Sequence, residues 1–122
     1  MELAAGILVL LISILHIIYG ERQPLRQLMG LTDDEVLIGS VRVMSLQGGV
    51  LLFAVGSIHF LHYFNLIALT GIAAYFPLGI ICINLFTFLV VAIFKHQKLF
   101  SVIAFQLVVF TAIIVLQILS LS

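Results

Sequence analysis

The chain has 122 residues, 64% of them hydrophobic and 8% charged, with a mean hydropathy of +1.38 and no formal net charge. A soluble domain carries about 25% charged residues, and a small fold leaves much of its surface facing solvent, so this composition excludes an ordinary soluble domain. The balanced charge excludes a basic nucleic-acid-binding face, and the single cysteine, Cys82, excludes an intramolecular disulfide or a cysteine-built zinc cluster.

The chain opens with MELAAGILVLLISIL. A secretory signal would place Lys or Arg before its apolar core and small residues after it. Here Glu2 leads and the run ends in HIIYGER, so it reads as a retained first span, residues 3–20. About 20 apolar residues cross a hydrocarbon core of about 30 Å. Gly20 is placed to end that helix, because glycine tolerates the left-handed cap.

From His16 to Arg42 the chain concentrates seven of its charged residues: Glu21, Arg22, Arg26, Asp33, Asp34, Glu35 and Arg42. Within this segment QPLRQLMG predicts one or two helical turns lying at an interface, with Pro24 at the first position and Gly30 at the stop. Thr32 followed three residues later by Glu35 predicts a capping box, with span two starting at Asp33.

No charge occurs from Val43 to Phe94. As one helix this stretch would be roughly 78 Å long at about 1.5 Å per residue, so it holds two spans, 36–61 and 66–94, with a turn at His62 to Asn65. Tyr63 and Phe64 suit an interfacial aromatic belt. Pro77 falls inside the third span and predicts a kink there; the rival reading makes it an early helical residue preceded by an interfacial segment. Lys95-His-Gln-Lys98 is the next polar break, and 99–121 is span four. Cys82 is expected to be a small packing residue.

The predicted fold is all-α, a single transmembrane four-helix bundle over 1–122. All five basic residues, Arg22, Arg26, Arg42, Lys95 and Lys98, lie in the loops after spans one and three or at their edges. By the positive-inside rule those charged loops are cytoplasmic and both termini face outward. The expected location is a cell membrane, multi-pass, of the bacterial inner-membrane kind.

The candidate site is a polar cluster at the cytoplasmic end: His16, Tyr19, Glu21, Arg22 and Arg42, with Gln47 and Gln106 nearby by chain distance. An ionisable group inside a span is a functional hypothesis by default; the structural alternative is a Glu21–Arg42 or His16–Glu21 pair that pins spans one and two together. His16-x-x-x-Gly20-Glu21 at the end of a first span resembles a signature of small bacterial four-span membrane proteins of unassigned function, which often carry an Arg early in span two, as Arg42 is here. The Trp-His pair that follows that Arg in those proteins is Val43-Met44 in this chain. The resemblance implies the four-span topology and groups His16, Glu21 and Arg42. It implies no activity.

His59 and His62 are spaced to share a helix face and are weak metal-ligand candidates that need further ligands. A b-type haem would need His16 and His59 at one depth, and they lie at opposite ends of their spans, so no cofactor is expected. Ser45, Thr87, Asn84, Thr111 and Gln117 are expected to form interhelical hydrogen bonds. Small residues Ser45, Gly48, Gly49 and Gly56, with Gly71 and Ala74, give close-packing faces within the bundle or between copies. The leading function is a membrane-embedded binding or accessory protein, whose partners are the lipid bilayer and a second copy or another membrane protein. The alternative is a small dimeric transporter or channel for a weakly polar or apolar substrate. An enzyme using His16 as base has no nucleophile or phosphate-loop motif to support it.

Overall fold

The computed structural model describes residues 1–97 and the backbone of 99–121, with side chains in the last helix from Ala104 onward. Lys98, counted above toward the charge asymmetry, lies outside the described residues. The elements in order are α1 (Glu2–Arg22), α2 (Pro24–Leu31), α3 (Glu35–Tyr63), a 3-10 turn (Gly71–Tyr75), α4 (Phe76–Phe94) and α5 (Leu99–Leu121). The described residues contain no strand, and four of the helical stretches are long and apolar enough to cross a membrane.

Local chemistry sets each boundary, and in several places it differs from the sequence expectation. Gly20 does not end α1; it is buried inside the helix. The break comes at Gln23, because Pro24 has no N–H to give the carbonyl four residues back, and the chain restarts as α2 with Pro24 in its first turn. Gly30 does not stop α2, which runs to Leu31.

The Thr32–Glu35 capping box is replaced by a different cap. Asp34 is the N-cap of α3, and its Oδ1 accepts from the backbone N–H of Val36 at 3.0 Å and of Leu37 at 3.3 Å. Thr32 instead accepts from the Asp34 N–H at 3.1 Å, holding the cap residue in place. A carboxylate is the better acceptor for two N–H groups at the positive end of a helix.

At its far end α3 closes in a Schellman arrangement. Asn65 takes φ +59°, its N–H bonds His62 O at 3.0 Å, and the Leu66 N–H bonds Leu61 O at 2.8 Å. The predicted kink at Pro77 is absent. Helix α4 begins at Phe76 with Pro77 in its first turn, and Gly71 at φ +60° opens the 3-10 turn before it. Nineteen residues already give about 28 Å of helix without the segment before Pro77.

Helices α1 and α3 form a tight antiparallel hairpin, and small residues make it tight. A Cβ on Gly56 would lie 3.1 Å from the Leu10 backbone nitrogen, and one on Gly6 would lie 3.0 Å from His59 Cβ. Gly49 abuts Ile17, and Gly20 abuts Ser45. Gly6, Ser13 and Gly20 recur every seventh residue on α1, as Gly49 and Gly56 do on α3. A seven-residue period keeps small residues on one seam facing the partner helix. Gly71 and Ala74 do not join a close-packed helix face, because they belong to the 3-10 turn.

Helix α5 packs on α1 and on α4, and α4 touches α3 more sparsely, closing a four-membered ring. The core is drawn from all four long helices: Val9 and Ile12, Leu52 and Val55, Ile81, and Phe110 and Ile113. Phe88 joins it through a ring contact with Phe110, centroids 6.2 Å apart.

The outside is equally apolar. The chain presents 7998 Å², against about 6,500 Å² for a compact soluble chain of this mass. Leu11, Leu15, Met44, Phe53, Ile83, Phe86 and Val108 are all exposed. Cys82 is also exposed, on the outer face of α4 beside buried Ile81, and is not the packing residue expected.

Candidate functional site

The two ends of the bundle differ chemically. At the α2 end, Arg42 Nε donates to Glu21 Oε1 at 3.1 Å, joining α3 to α1. Their side chains are 45% and 38% exposed, so solvent weakens the pair, and it acts as a surface clasp between the helices. This is the structural alternative considered for Glu21 and Arg42.

Four other members of the predicted cluster, His16, Tyr19, Arg22 and Gln106, line a separate feature. A side-opening cleft of about 820 Å³ lies between α1, α3, α4 and α5. Its walls include Ile12, Leu15, Met44, Phe88 and Phe105, and His16, Tyr19, Arg22, Ser45 and Gln106 supply its polar groups. His16 is half-buried and lies over Gly48, where a Cβ would stand 3.1 Å from its Nε2. Among the described residues Arg22 has no ion-pair partner. Gln47 does not reach the cleft; it is exposed on another face of α3, one residue round from the glycine that receives His16.

Most of the predicted interhelical glue bonds its own helix. Asn84 Nδ2 donates to Ile80 O at 3.0 Å, Thr87 to Ile83 O at 2.9 Å, and Thr111 to Leu107 O at 2.8 Å. A side chain that returns its hydrogen bond to the preceding turn needs no neighbour. Gln117 is different. Its Nε2 lies 2.9 Å from His59 Nε2 on α3, and both side chains are buried.

That bond belongs to a second constellation, at the end bearing the termini. Glu2 Oε1 lies 2.5 Å from His62 Nδ1 and 3.6 Å from His59 Nδ1. Among the described residues, His59 Nδ1 and Gln117 Oε1 are buried without a protein hydrogen-bond partner. They line a cavity of about 40 Å³ with Glu2, His62, Ser120 and apolar residues of the Leu69–Leu78 region. His59 therefore does not face water, as an interfacial turn histidine would. No group of three His, Cys, Asp or Glu among the described residues is placed to hold a metal ion.

Only part of this site could be read in advance. The three-residue spacing of His59 and His62 and the position of Glu2 at the same end were visible. Gln117, 58 residues from His59, gave no local signal, because only the docking of α5 brings it there. No family model matches the chain, and no curated protein or solved structure matches it.

Proposed function

We propose that this chain is a four-span membrane protein that binds an anionic amphiphile in the cleft between its helices. In this reading both termini face outward and the charged loops face the cytoplasm of a bacterial-type inner membrane. Four apolar helices, an apolar exterior and the grouping of Arg22, Arg26, Arg42 and Lys95 at one end support the topology.

The single observation that carries the binding role is the cleft. Its volume falls within the range of small-molecule sites, about 300–1,000 Å³. Its walls are mostly apolar, and its polar groups cluster toward the charged end of α1. A molecule with an apolar tail would lie along Ile12, Leu15, Phe88 and Phe105. Its head would take hydrogen bonds from Gln106, Ser45 and His16 and the charge of Arg22. Arg42 is already engaged by Glu21, and among the described basic residues Arg22 is the one that lines the cleft. An anionic head, carboxylate or phosphate, suits a guanidinium best.

Transport of ions across the bundle has less support. Mid-span charges usually carry such traffic, and the chain has none from Val43 to Phe94.

Native mass spectrometry of the protein released from a mild detergent tests the reading. The expected result is one added small-molecule mass per chain, lost in Arg22→Ala and in Gln106→Ala but kept in Gln47→Ala. A bare chain under conditions that preserve bound lipids, or an adduct indifferent to both cleft variants, overturns it.

A further inference from the structure

The polar cavity at the opposite end stands apart from the cleft and shares no lining residue with it. We propose that Glu2, His62, His59 and Gln117 form a proton-binding site, loaded from the terminus-bearing side of the molecule.

The hydrogen-bond inventory leads there. An amide nitrogen carries no lone pair available to accept, so Gln117 Nε2 donates and His59 Nε2 accepts. In the neutral ring the proton then sits on Nδ1. Nδ1 lies 3.6 Å from Glu2 Oε1, too far for a hydrogen bond, and has no hydrogen-bond partner among the described residues. Gln117, 1% exposed, leaves its Oε1 unpartnered as well. Both atoms border one cavity with room for water.

Adding one proton to His59 gives each ring nitrogen a partner. If the Gln117 amide turns over, Oε1 faces the ring and accepts from the new Nε2–H, while its NH2 turns to the cavity, where a water can accept from it. The Nδ1–H closes on Glu2, whose negative charge balances the imidazolium. The proton arrives on a water as hydronium and that water remains behind, with no change in electron count. A cavity of about 40 Å³ holds more than one water at about 10–15 Å³ each, so a carrier fits beside the ring.

The route in is also present. A wider, open vestibule of about 440 Å³, lined by His62, Asn65 and Thr70 among others, shares His62 and Leu69 with the inner cavity. His62, already bonded to Glu2, stands between the two. The titratable groups facing His59 are Glu2 from α1 and His62 from its own helix. The lining from α4 and α5 (Pro77, Leu78, Gln117, Ser120 and Leu121) contains no titratable side chain.

Nitrogen-15 NMR of histidine side chains in lipid nanodiscs tests the site, titrating from about pH 8 to about pH 5, the range in which histidine changes charge. His59 is assigned by the signal lost in His59→Asn. The expected start is a single N–H on Nδ1, and acidification adds a second on Nε2. Glu2→Gln should lower the midpoint by about one pH unit or more, a tenfold loss in proton affinity, because it removes the opposing charge. Gln117→Leu should lower it too, by removing the acceptor for Nε2–H. A His59 that starts with its proton on Nε2, stays neutral throughout, or titrates at an unchanged midpoint in both variants overturns the proposal.

Discussion

Gly56 of α3 lies against Leu10 of α1 so closely that a Cβ added to the glycine would stand 2.7 Å from Leu10 Cγ. The Leu10 side chain has rotamers to move into, but the Leu10 backbone nitrogen, 3.1 Å from the same point, does not. Gly56→Val should therefore force the two helices apart and cost about 1–3 kcal/mol, the usual penalty for overpacking. Gly39, also within α3, has nothing within 4 Å of its added Cβ. Gly39→Ala should be neutral or raise stability by about 0.5–1 kcal/mol through helix propensity. Thermal unfolding of both variants in one detergent checks the contrast.

The start of α3 separates two accounts of the same four residues. Asp34 accepts two backbone N–H groups, whereas no side-chain cap bond runs from Glu35 back to Thr32. Asp34→Ala should cost about 1 kcal/mol and Glu35→Ala only a few tenths. Equal losses in a chemical-unfolding titration would restore the capping box.

The Glu21–Arg42 clasp is exposed on both sides. A double-mutant cycle with Glu21→Ala and Arg42→Ala should return a coupling of about 0.2–1 kcal/mol, shrinking as salt is added. A much larger, salt-insensitive value would mean that the pair is sequestered from water in the bilayer.

Membrane orientation is accessible through thiol chemistry, because Cys82 is the one cysteine. In a Cys82→Ser background, Asn65→Cys should react with a membrane-impermeant maleimide applied to intact cells. Asp33→Cys should react only after the membrane is opened. The reverse pattern would invert the proposed topology.

Much of this architecture was legible in the chain, and the failures have physical causes. Apolar runs located the long helices because length and hydropathy suffice for that. Pro24 located α2 because its missing N–H leaves few alternatives. Residues 66–76 were absorbed into span three because they are as apolar as the helix that follows. Only backbone punctuation marks them off: Asn65 and Gly71 at positive φ, and Pro77 in a first turn. Gly49 and Gly56 on α3 stood out as part of a small-residue face, whereas Gly6, Ser13 and Gly20, at the same interval on α1, were not marked as its counterpart. Their pairing needed the antiparallel register. The cleft is lined by His16, Tyr19, Arg22 and Gln106, whereas Gln47 was grouped with them by depth alone and its rotation about the helix carries it away. His59 and Gln117 met only through tertiary packing, which no local spacing records.

The glycine seam also bears on how the chain assembles. It joins two long helices that leave the ribosome before α4 and α5, and its contacts need nothing from the residues that follow. Synthesis proceeds at about 5–20 residues per second, and early segments fold first. The α1–α3 hairpin can thus lock before α4 has been made, and it offers the later pair a finished wall to settle on. A lesion in the seam would then be felt twice, once in the hairpin and again in the helices that use it as their template.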